Sequence, residues 1–144
     1  MAKPENQKPS ILIIYTGGTI GMVQRPQSGT LAPVKFDQIL EEVPELNKFN
    51  YNIKTIKFNP ALDSSNVTPA VWVKIAKTIE RHYNQYDGFV VLHGTDTMAY
   101  TASALSYMFE NLDKPIILTG SQLPIGTLRT DGKENLITSV EIAA

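Results

Sequence analysis

The chain has 144 residues, of which 42% are hydrophobic and 19% are charged, and this length suits one globular domain with a single hydrophobic core. The 13 basic and 14 acidic side chains leave a net charge of −1, which excludes a general electrostatic attraction to nucleic acid or anionic membranes. The absence of cysteine excludes disulfides, a thiol nucleophile and cysteine-ligated metals. Residues 1–9 carry no apolar signal-peptide core and no apolar run is long enough to span a bilayer, so we expect a cytoplasmic protein.

Hydrophobic patterning divides the chain into alternating strands and helices. Residues 10–15 (SILIIY) and 89–92 (FVVL) are continuous apolar runs, which are typical of parallel strands buried on both faces. After Thr68, a predicted N-cap, and Pro69, apolar side chains recur at three- and four-residue steps, which predicts an amphipathic helix. The predicted strands are residues 10–15, 51–58, 89–92 and 115–119, and the predicted helices are residues 69–83, 97–111 and 131–144. This alternation predicts an α/β domain, a three-layer α/β/α fold with a largely parallel sheet.

Three further patterns carry specific local expectations. In the helix predicted at 97–111, we expect the following side chains to face inward: Tyr100, Ala104, Leu105, Met108 and Phe109. Asp131 and Glu134 have the spacing of a capping box, which predicts the start of the last helix. Residues 24–33 are polar and contain glycine and proline, so we interpret them as a solvated connecting loop, with a mobile lid over a site as the alternative.

Short polar runs follow three of the predicted strands. They are residues 16–19 (TGGT), 93–96 (HGTD) and 119–122 (TGSQ), and a fourth polar cluster, residues 63–66 (DSSN), follows the remaining strand. The carboxyl ends of parallel strands meet at one edge of a sheet, which is where α/β sheets bind ligands. We therefore expect these four runs to converge on one site.

Each run also has a purely structural explanation. Gly17-Gly18 is compatible with a tight turn, and Asp96 with the N-cap of the following helix. The glycines lack the lysine of a P-loop, and the chain has no Gly-x-Ser-x-Gly elbow. With only two histidines, His82 and His93, we expect no metal site. Threonine hydroxyls beside glycine-turn N–H groups fit acyl transfer from an amide or ester.

Two of the motifs are similar to those of a known family. Residues 15–22 (YTGGTIGM) and 92–98 (LHGTDTM) closely resemble the two signature motifs of bacterial-type L-asparaginases. Residues 86–122 resemble the cytoplasmic type I branch nearly throughout, and residues 63–65 and 129–132 match family segments in the same order. The resemblance implies hydrolysis of L-asparagine to L-aspartate and ammonia without a metal or organic cofactor.

The resemblance also assigns roles to single residues. It implies that Thr19 is the nucleophile, that Thr95 positions or activates the attacking group and helps to hold the oxyanion through its N–H, and that Asp96 binds the substrate α-amino group. Ser64 matches a contact to the α-carboxylate, and Ser121 a backbone contact near the side-chain amide. The implied substrate-binding residues are Asp63, Ser64, Ser65, Gly94, Thr95, Asp96 and Ser121.

The chain departs from the family pattern in two places. Many relatives carry a lid tyrosine where this chain has Thr30, and none of its lysines matches the catalytic lysine, which relatives carry further downstream. We therefore expect residues 1–9 to be a polar tail and residues 10–144 to be a truncated N-terminal asparaginase domain that is poorly active alone. By similarity, the expected assembly is a homodimer or homotetramer, with neither nucleic acid nor membrane as a partner.

Two alternatives to an asparaginase remain open at this point. One is an amidotransferase subunit that supplies ammonia for misacylated tRNA, which shares both motifs but is expected to need an N-terminal extension and a partner subunit. The other is a non-catalytic fragment of the same fold that binds asparagine or aspartate and turns over neither. Ammonia release discriminates the enzyme from the binding fragment.

Overall fold

The computed structural model describes residues 8–24, 31–33 and 41–144. Its strands and α-helices are β1 (Ser10–Gly17), β2 (Met22–Gln24), β3 (Leu31–Pro33), β4 (Asn52–Leu62), α1 (Pro69–His82), β5 (Gly88–Leu92), α2 (Met98–Met108), β6 (Ile116–Thr119) and α3 (Gly132–Ala143). Residues 1–7 of the predicted tail and the predicted lid residue Thr30 lie outside the described residues. In the described part of the chain, no helix is long and apolar enough to cross a membrane.

The main sheet has four strands in the order β4-β1-β5-β6, and every neighbouring pair is parallel. The two central strands are those with continuous apolar runs, and residues 11–14 and 89–92 are fully buried. Both faces of a central parallel strand are covered, so successive side chains along it are all apolar and do not alternate with polar ones. The predicted parallel α/β sheet is therefore confirmed.

Helices cover both faces of this sheet, which gives the predicted three layers. Alternate side chains of β1 pack against α3 in one buried cluster that includes Ile11, Ile13, Tyr15, Leu136 and Val140. The intervening side chains pack against α1 and α2 in a second cluster that includes Leu12, Ile14, Ile75, Ile79 and Leu105. Full burial of each such aliphatic side chain contributes about 1.5–3 kcal/mol, so the two clusters fix the strands that carry the site.

The helices differ from the sequence expectations at three points. Helix α2 ends at Met108, and Phe109 has extended backbone angles, so the helix is shorter than predicted. The inward orientation expected for Tyr100 and Met108 is wrong, since these side chains are 68% and 40% exposed. The apolar side chains of α2 itself are distributed around the helix, so their spacing in the sequence does not single out one buried face. The capping box at Asp131 is also wrong, because that carboxylate makes no capping hydrogen bond to α3.

The segment interpreted as a connecting loop is bounded by a short antiparallel pair. Met22 pairs with Pro33, and Gln24 pairs with Leu31, so the two ends of the segment belong to β2 and β3. The prediction of a loop beginning at Gln24 and ending at Pro33 is therefore wrong at both ends. Residues 25–30, which connect the two strands, lie outside the described residues.

Candidate active site

The carboxyl ends of the four parallel strands meet at one edge of the sheet. Tyr15 of β1 lies beside Leu92 of β5, which in turn lies beside Thr119 of β6. The register between β1 and β4 shifts after Tyr15, so that Gly17 lies beside Leu62. The polar runs that follow these strands are thereby brought together, as the sequence predicted.

The turn after β1 is built from two glycines that no other residue can replace without strain. Gly17 and Gly18 have φ angles of 144° and 93°. A Cβ atom on Gly17 would lie 2.0 Å from the carbonyl oxygen of Leu62, and one on Gly18 would lie 2.6 Å from the backbone nitrogen of Gly94. The glycines therefore let the β1 turn contact the ends of both neighbouring strands.

Thr19 follows this turn directly and begins a short 3-10 segment, Thr19–Gly21. Its side chain is half-buried, whereas the next residue, Ile20, is fully buried and anchors the segment in the core. The backbones of Gly18 and Gly94 are in contact. Thr19 directly follows Gly18, and Thr95 directly follows Gly94, so both threonines begin at this contact. The structure thus places the predicted nucleophile and its predicted partner at the same junction.

Ser64 and Asp96 are joined by a hydrogen bond across the gap between β4 and β5. The Ser64 hydroxyl donates to Asp96 Oδ2 over 2.5 Å, and the Thr97 hydroxyl donates to the Ser64 carbonyl over 2.7 Å. Ser64 is 4% exposed, while Asp96 is exposed. The alternative that Asp96 is an N-cap is wrong, because Thr97 occupies that position in α2. The second carboxylate oxygen of Asp96 is left to bind a ligand.

Asp63 and Ser65 flank Ser64 and interact with each other. The Asp63 carboxylate accepts hydrogen bonds from the Ser65 N–H at 3.0 Å and from the Ser65 hydroxyl at 2.8 Å. These bonds, the backbone one foremost, hold the pKa of Asp63 below its usual range. Both side chains are exposed, and their contact stabilises the turn Ser64–Asn66 that presents Ser64.

Thr95 is contacted by Gln122, a residue to which the sequence assigned no role. Gln122 Nε2 donates to Thr95 Oγ1 over 3.2 Å. The Gln122 N–H is in turn held by the Asp131 carboxylate at 2.9 Å, and the Leu123 N–H donates to the same carboxylate at 3.1 Å. The backbone N–H of Gln122 is the main cause that lowers the pKa of Asp131. Asp131 therefore acts as a clamp on the loop after β6.

Two other groups complete this loop. Asn135 of α3 donates to the Gly120 carbonyl at 2.9 Å and fixes the end of β6 to that helix. Ser121 is 3% exposed, and its hydroxyl donates to the Leu123 carbonyl at 2.5 Å. Its side chain is thus used inside the loop, which leaves its backbone as the part that can contact a ligand. The position of Gln122 in the polar run TGSQ is the one sequence signal for its role.

Both histidines have hydrogen-bond partners within the protein. His93 is buried, and both of its ring nitrogens have protein partners, while His82 lies on α1 with Nδ1 beside the Thr78 carbonyl at 2.8 Å. Within the described ranges no group of three His, Cys, Asp or Glu side chains is placed to hold a metal ion. The groups that the described residues bring to this edge are hydroxyls, the carboxylates of Asp63, Asp96 and Asp131, and backbone N–H groups.

A parallel α/β domain with hydroxyls and carboxylates at its strand ends belongs to the class of α/β proteins that bind small molecules at that edge. Comparison with known proteins identifies the family within that class. The family model described as "Asparaginase, N-terminal" matches residues 10–144. The chain therefore belongs to the asparaginase family.

Named relatives and solved structures agree with this membership. The chain is 52% identical over 141 residues to L-asparaginase 1 of Escherichia coli, a match that covers 96% of this chain and 41% of that protein. The crystal structure of L-asparaginase I from Vibrio cholerae superposes with a TM-score of 0.84 at 46% identity, covering 96% of this chain and 42% of the other. The thermostable L-asparaginase from Thermococcus kodakarensis gives a TM-score of 0.85 at 38% identity, covering 93% and 40%. The chain thus spans about two fifths of the length of each of these relatives.

Proposed function

We propose that the protein carrying this chain hydrolyses L-asparagine to L-aspartate and ammonia, with Thr19 as the nucleophile. The observation that carries the proposal is the junction of Gly18 with Gly94. It brings the threonine that follows each glycine to the edge where the Ser64–Asp96 pair lies. The membership of the chain in the asparaginase family supports the same activity.

The α-amino and α-carboxylate groups of the substrate would be bound by the turns that follow β4 and β5. Asp96 offers a carboxylate oxygen to the α-amino group, a charge-assisted contact that selects amino acids. Ser64 uses its hydroxyl proton to orient that carboxylate and would contact the substrate α-carboxylate through its backbone, and Asp63 and Ser65 shape the turn around it. The side-chain amide then extends toward Thr19, Thr95 and the backbone of Ser121.

The reaction would proceed through an ester on Thr19. The Thr19 oxygen forms a bond to the amide carbon of the asparagine side chain, and the resulting oxyanion is held by backbone N–H groups that include that of Thr95. The carbon–nitrogen bond then breaks, and ammonia leaves with the proton from the Thr19 hydroxyl. Water cleaves the ester, which releases L-aspartate and returns a proton to Thr19. Thr95, beside Asp96 and Gln122, assists the proton transfers.

Localisation and assembly belong to the same proposal. We place the protein in the cytoplasm as a homodimer or homotetramer, in keeping with its similarity to the type I branch. Light scattering after gel filtration of the full-length protein measures the assembly. A monomer that hydrolyses asparagine at full rate would contradict this part of the proposal and leave the activity in place.

The test of the activity is ammonia release from L-asparagine by the purified full-length protein, with no partner subunit, tRNA or added metal, and with a chelator present. The proposal predicts steady turnover under these conditions. Binding of aspartate without turnover would favour a non-catalytic binding protein. Turnover that requires a partner subunit and misacylated tRNA would favour an amidotransferase, and either result would overturn the proposal.

A further inference from the structure

His93 is a buried imidazole that the proposed chemistry does not use directly. It is 1% exposed and lies at the end of β5, immediately before Gly94. Its Nδ1 lies 2.7 Å from the Gly94 carbonyl oxygen, and its Nε2 lies 2.9 Å from the hydroxyl of Thr101 on α2. The indole N–H of Trp72 on α1 donates to the same Thr101 hydroxyl over 3.0 Å.

The chemistry of these groups fixes the direction of the chain of hydrogen bonds. A carbonyl oxygen accepts only and an indole N–H donates only, so His93 Nδ1 carries a proton that it donates to Gly94. In a neutral imidazole with its proton on Nδ1, Nε2 accepts, so Thr101, which accepts from Trp72, uses its single proton to donate to His93 Nε2. The network therefore assigns the Nδ1–H tautomer, with every bond running from Trp72 through Thr101 and His93 to the Gly94 carbonyl.

This chain of bonds ends on the peptide group between Gly94 and Thr95. The C=O and N–H of a trans peptide point in opposite directions, so a bond that fixes the Gly94 carbonyl also fixes the Thr95 N–H. Among the described residues, no hydrogen bond from that N–H to a protein acceptor is found. Glycine is conformationally permissive, so Gly94 does not hold this peptide by itself.

We propose that His93 is a positioning residue, which aims the Thr95 N–H at the oxyanion formed during amide hydrolysis. This inference rests on the proposed function. Thr101 is fully buried, so the imidazole takes its orientation from the packed helices α1 and α2 and transmits it to the loop that contacts the substrate. The histidine touches neither the substrate nor the attacking group.

The test compares two substitutions of His93 in the full-length protein. His93→Asn keeps an N–H at the position of Nδ1, whereas His93→Gln places its amide near the position of Nε2 and loses the donor to Gly94. We expect His93→Gln to lower kcat for L-asparagine about tenfold or more, below the 10²–10³ that removal of an oxyanion donor costs. We expect KM and the Kd of L-aspartate to change less than threefold, which corresponds to about 0.7 kcal/mol. His93→Asn should retain most of kcat.

Variants at Thr101 and Trp72 keep the proposal testable if substitution of His93 prevents folding. Thr101→Val removes the hydroxyl at constant shape and should lower kcat with KM unchanged, and Thr101→Ser should restore it. Trp72→Phe removes the indole N–H but leaves the Thr101–His93 bond, so it should lower kcat less than Thr101→Val does. Melting temperatures identify losses that are due to stability.

The outcomes separate this inference from the proposed function. A wild-type protein that releases no ammonia overturns the proposed function, and the positioning role with it. An active wild type whose His93→Gln variant keeps its kcat overturns the positioning role alone. Equal losses of kcat in His93→Asn and His93→Gln would also overturn it, since they would show a role of the ring in packing and not in directing one proton.

Discussion

The hydroxyl of Ser64 donates to the carboxylate of Asp96 over 2.5 Å and joins the turn after β4 to the turn after β5. Ser64 is buried and binds one oxygen of this exposed carboxylate, Oδ2, so the other oxygen remains accessible from solvent. Hydrogen bonds to charged groups contribute about 1.5–3 kcal/mol, enough to fix one orientation of a short side chain.

Removal of the Ser64 hydroxyl should therefore weaken substrate binding. We expect Ser64→Ala to raise KM for L-asparagine about tenfold or more, because Asp96 loses the partner that orients it toward the substrate α-amino group. Steady-state kinetics of the full-length protein measures this. Ser103→Ala is the control, since the Ser103 hydroxyl is exposed and donates only to its own helix. An unchanged KM in Ser64→Ala would contradict the role of Ser64.

Substitution of Asp96 should lower kcat/KM most for substrates that carry an α-amino group. We expect Asp96→Ala to lower kcat/KM for L-asparagine by about 10–100-fold more than for succinamate, which lacks that group, because a charge-assisted contact is lost only with the former. Comparing the two substrates removes any general effect of Asp96 on the chemistry. Equal losses on both substrates would place Asp96 elsewhere in the mechanism.

The contact between Gly18 and Gly94 should tolerate no side chain. In Gly18→Ala the added methyl would meet the Gly94 backbone at 2.6 Å, at a φ of 93°. We expect a loss of about 1–3 kcal/mol or more in the free energy of unfolding, together with loss of activity, because Thr19 and Thr95 move apart. Gly126→Ala is the matched control, since its nearest contact would be 3.5 Å from the side chain of Glu42. Urea unfolding and ammonia release measure both effects.

The Asp131 clamp should give the loop after β6 a dependence on pH. Hydrogen bonds lower the pKa of Asp131 in the folded protein, so their stabilisation is complete above the ordinary aspartate pKa of about 4 and is lost as the pH falls through the lowered value. We expect Asp131→Asn to destabilise the protein at pH 7 by about 1 kcal/mol, a modest value because the carboxylate is partly exposed to solvent.

Melting temperatures across the acid range test the sign of this effect. The difference between the wild type and Asp131→Asn should be largest at neutral pH and should narrow as the pH falls below about 4. Glu134→Gln is the control, because it removes an exposed carboxylate in the first turn of α3, three residues after Asp131. A difference that widens on acidification would contradict the assignment of Asp131 as a clamp.

Much of the fold follows from the sequence because its strongest signals are local. The apolar runs of β1 and β5 predict central parallel strands, and Pro69 with the stripe of apolar side chains after it predicts α1. Helix α2 was less predictable, since its apolar residues do not favour one face, and Tyr100 lies exposed. The β2–β3 pair was missed because each strand has only three residues, too few to show a period.

The site divides in the same way. The glycine-rich runs mark the edge of the sheet, and the family resemblance singles out Thr19, Thr95 and Asp96 within them, so the sequence alone predicts these residues as site candidates. The roles of Gln122, Asp131 and His93 depend on partners brought close only by folding. Trp72, for example, reaches His93 through Thr101 across two helices. The spacing of residues along the sequence does not predict such contacts.

The most direct test of the central claim is ammonia release from L-asparagine by Thr19→Ala in the full-length protein. Thr138→Ala, at an exposed position of α3, controls for the loss of a threonine, and Thr19→Ser keeps a hydroxyl at the site. The account predicts no measurable turnover by Thr19→Ala, partial turnover by Thr19→Ser, unchanged turnover by Thr138→Ala, and aspartate binding by all three. Turnover by Thr19→Ala at the wild-type rate would contradict it.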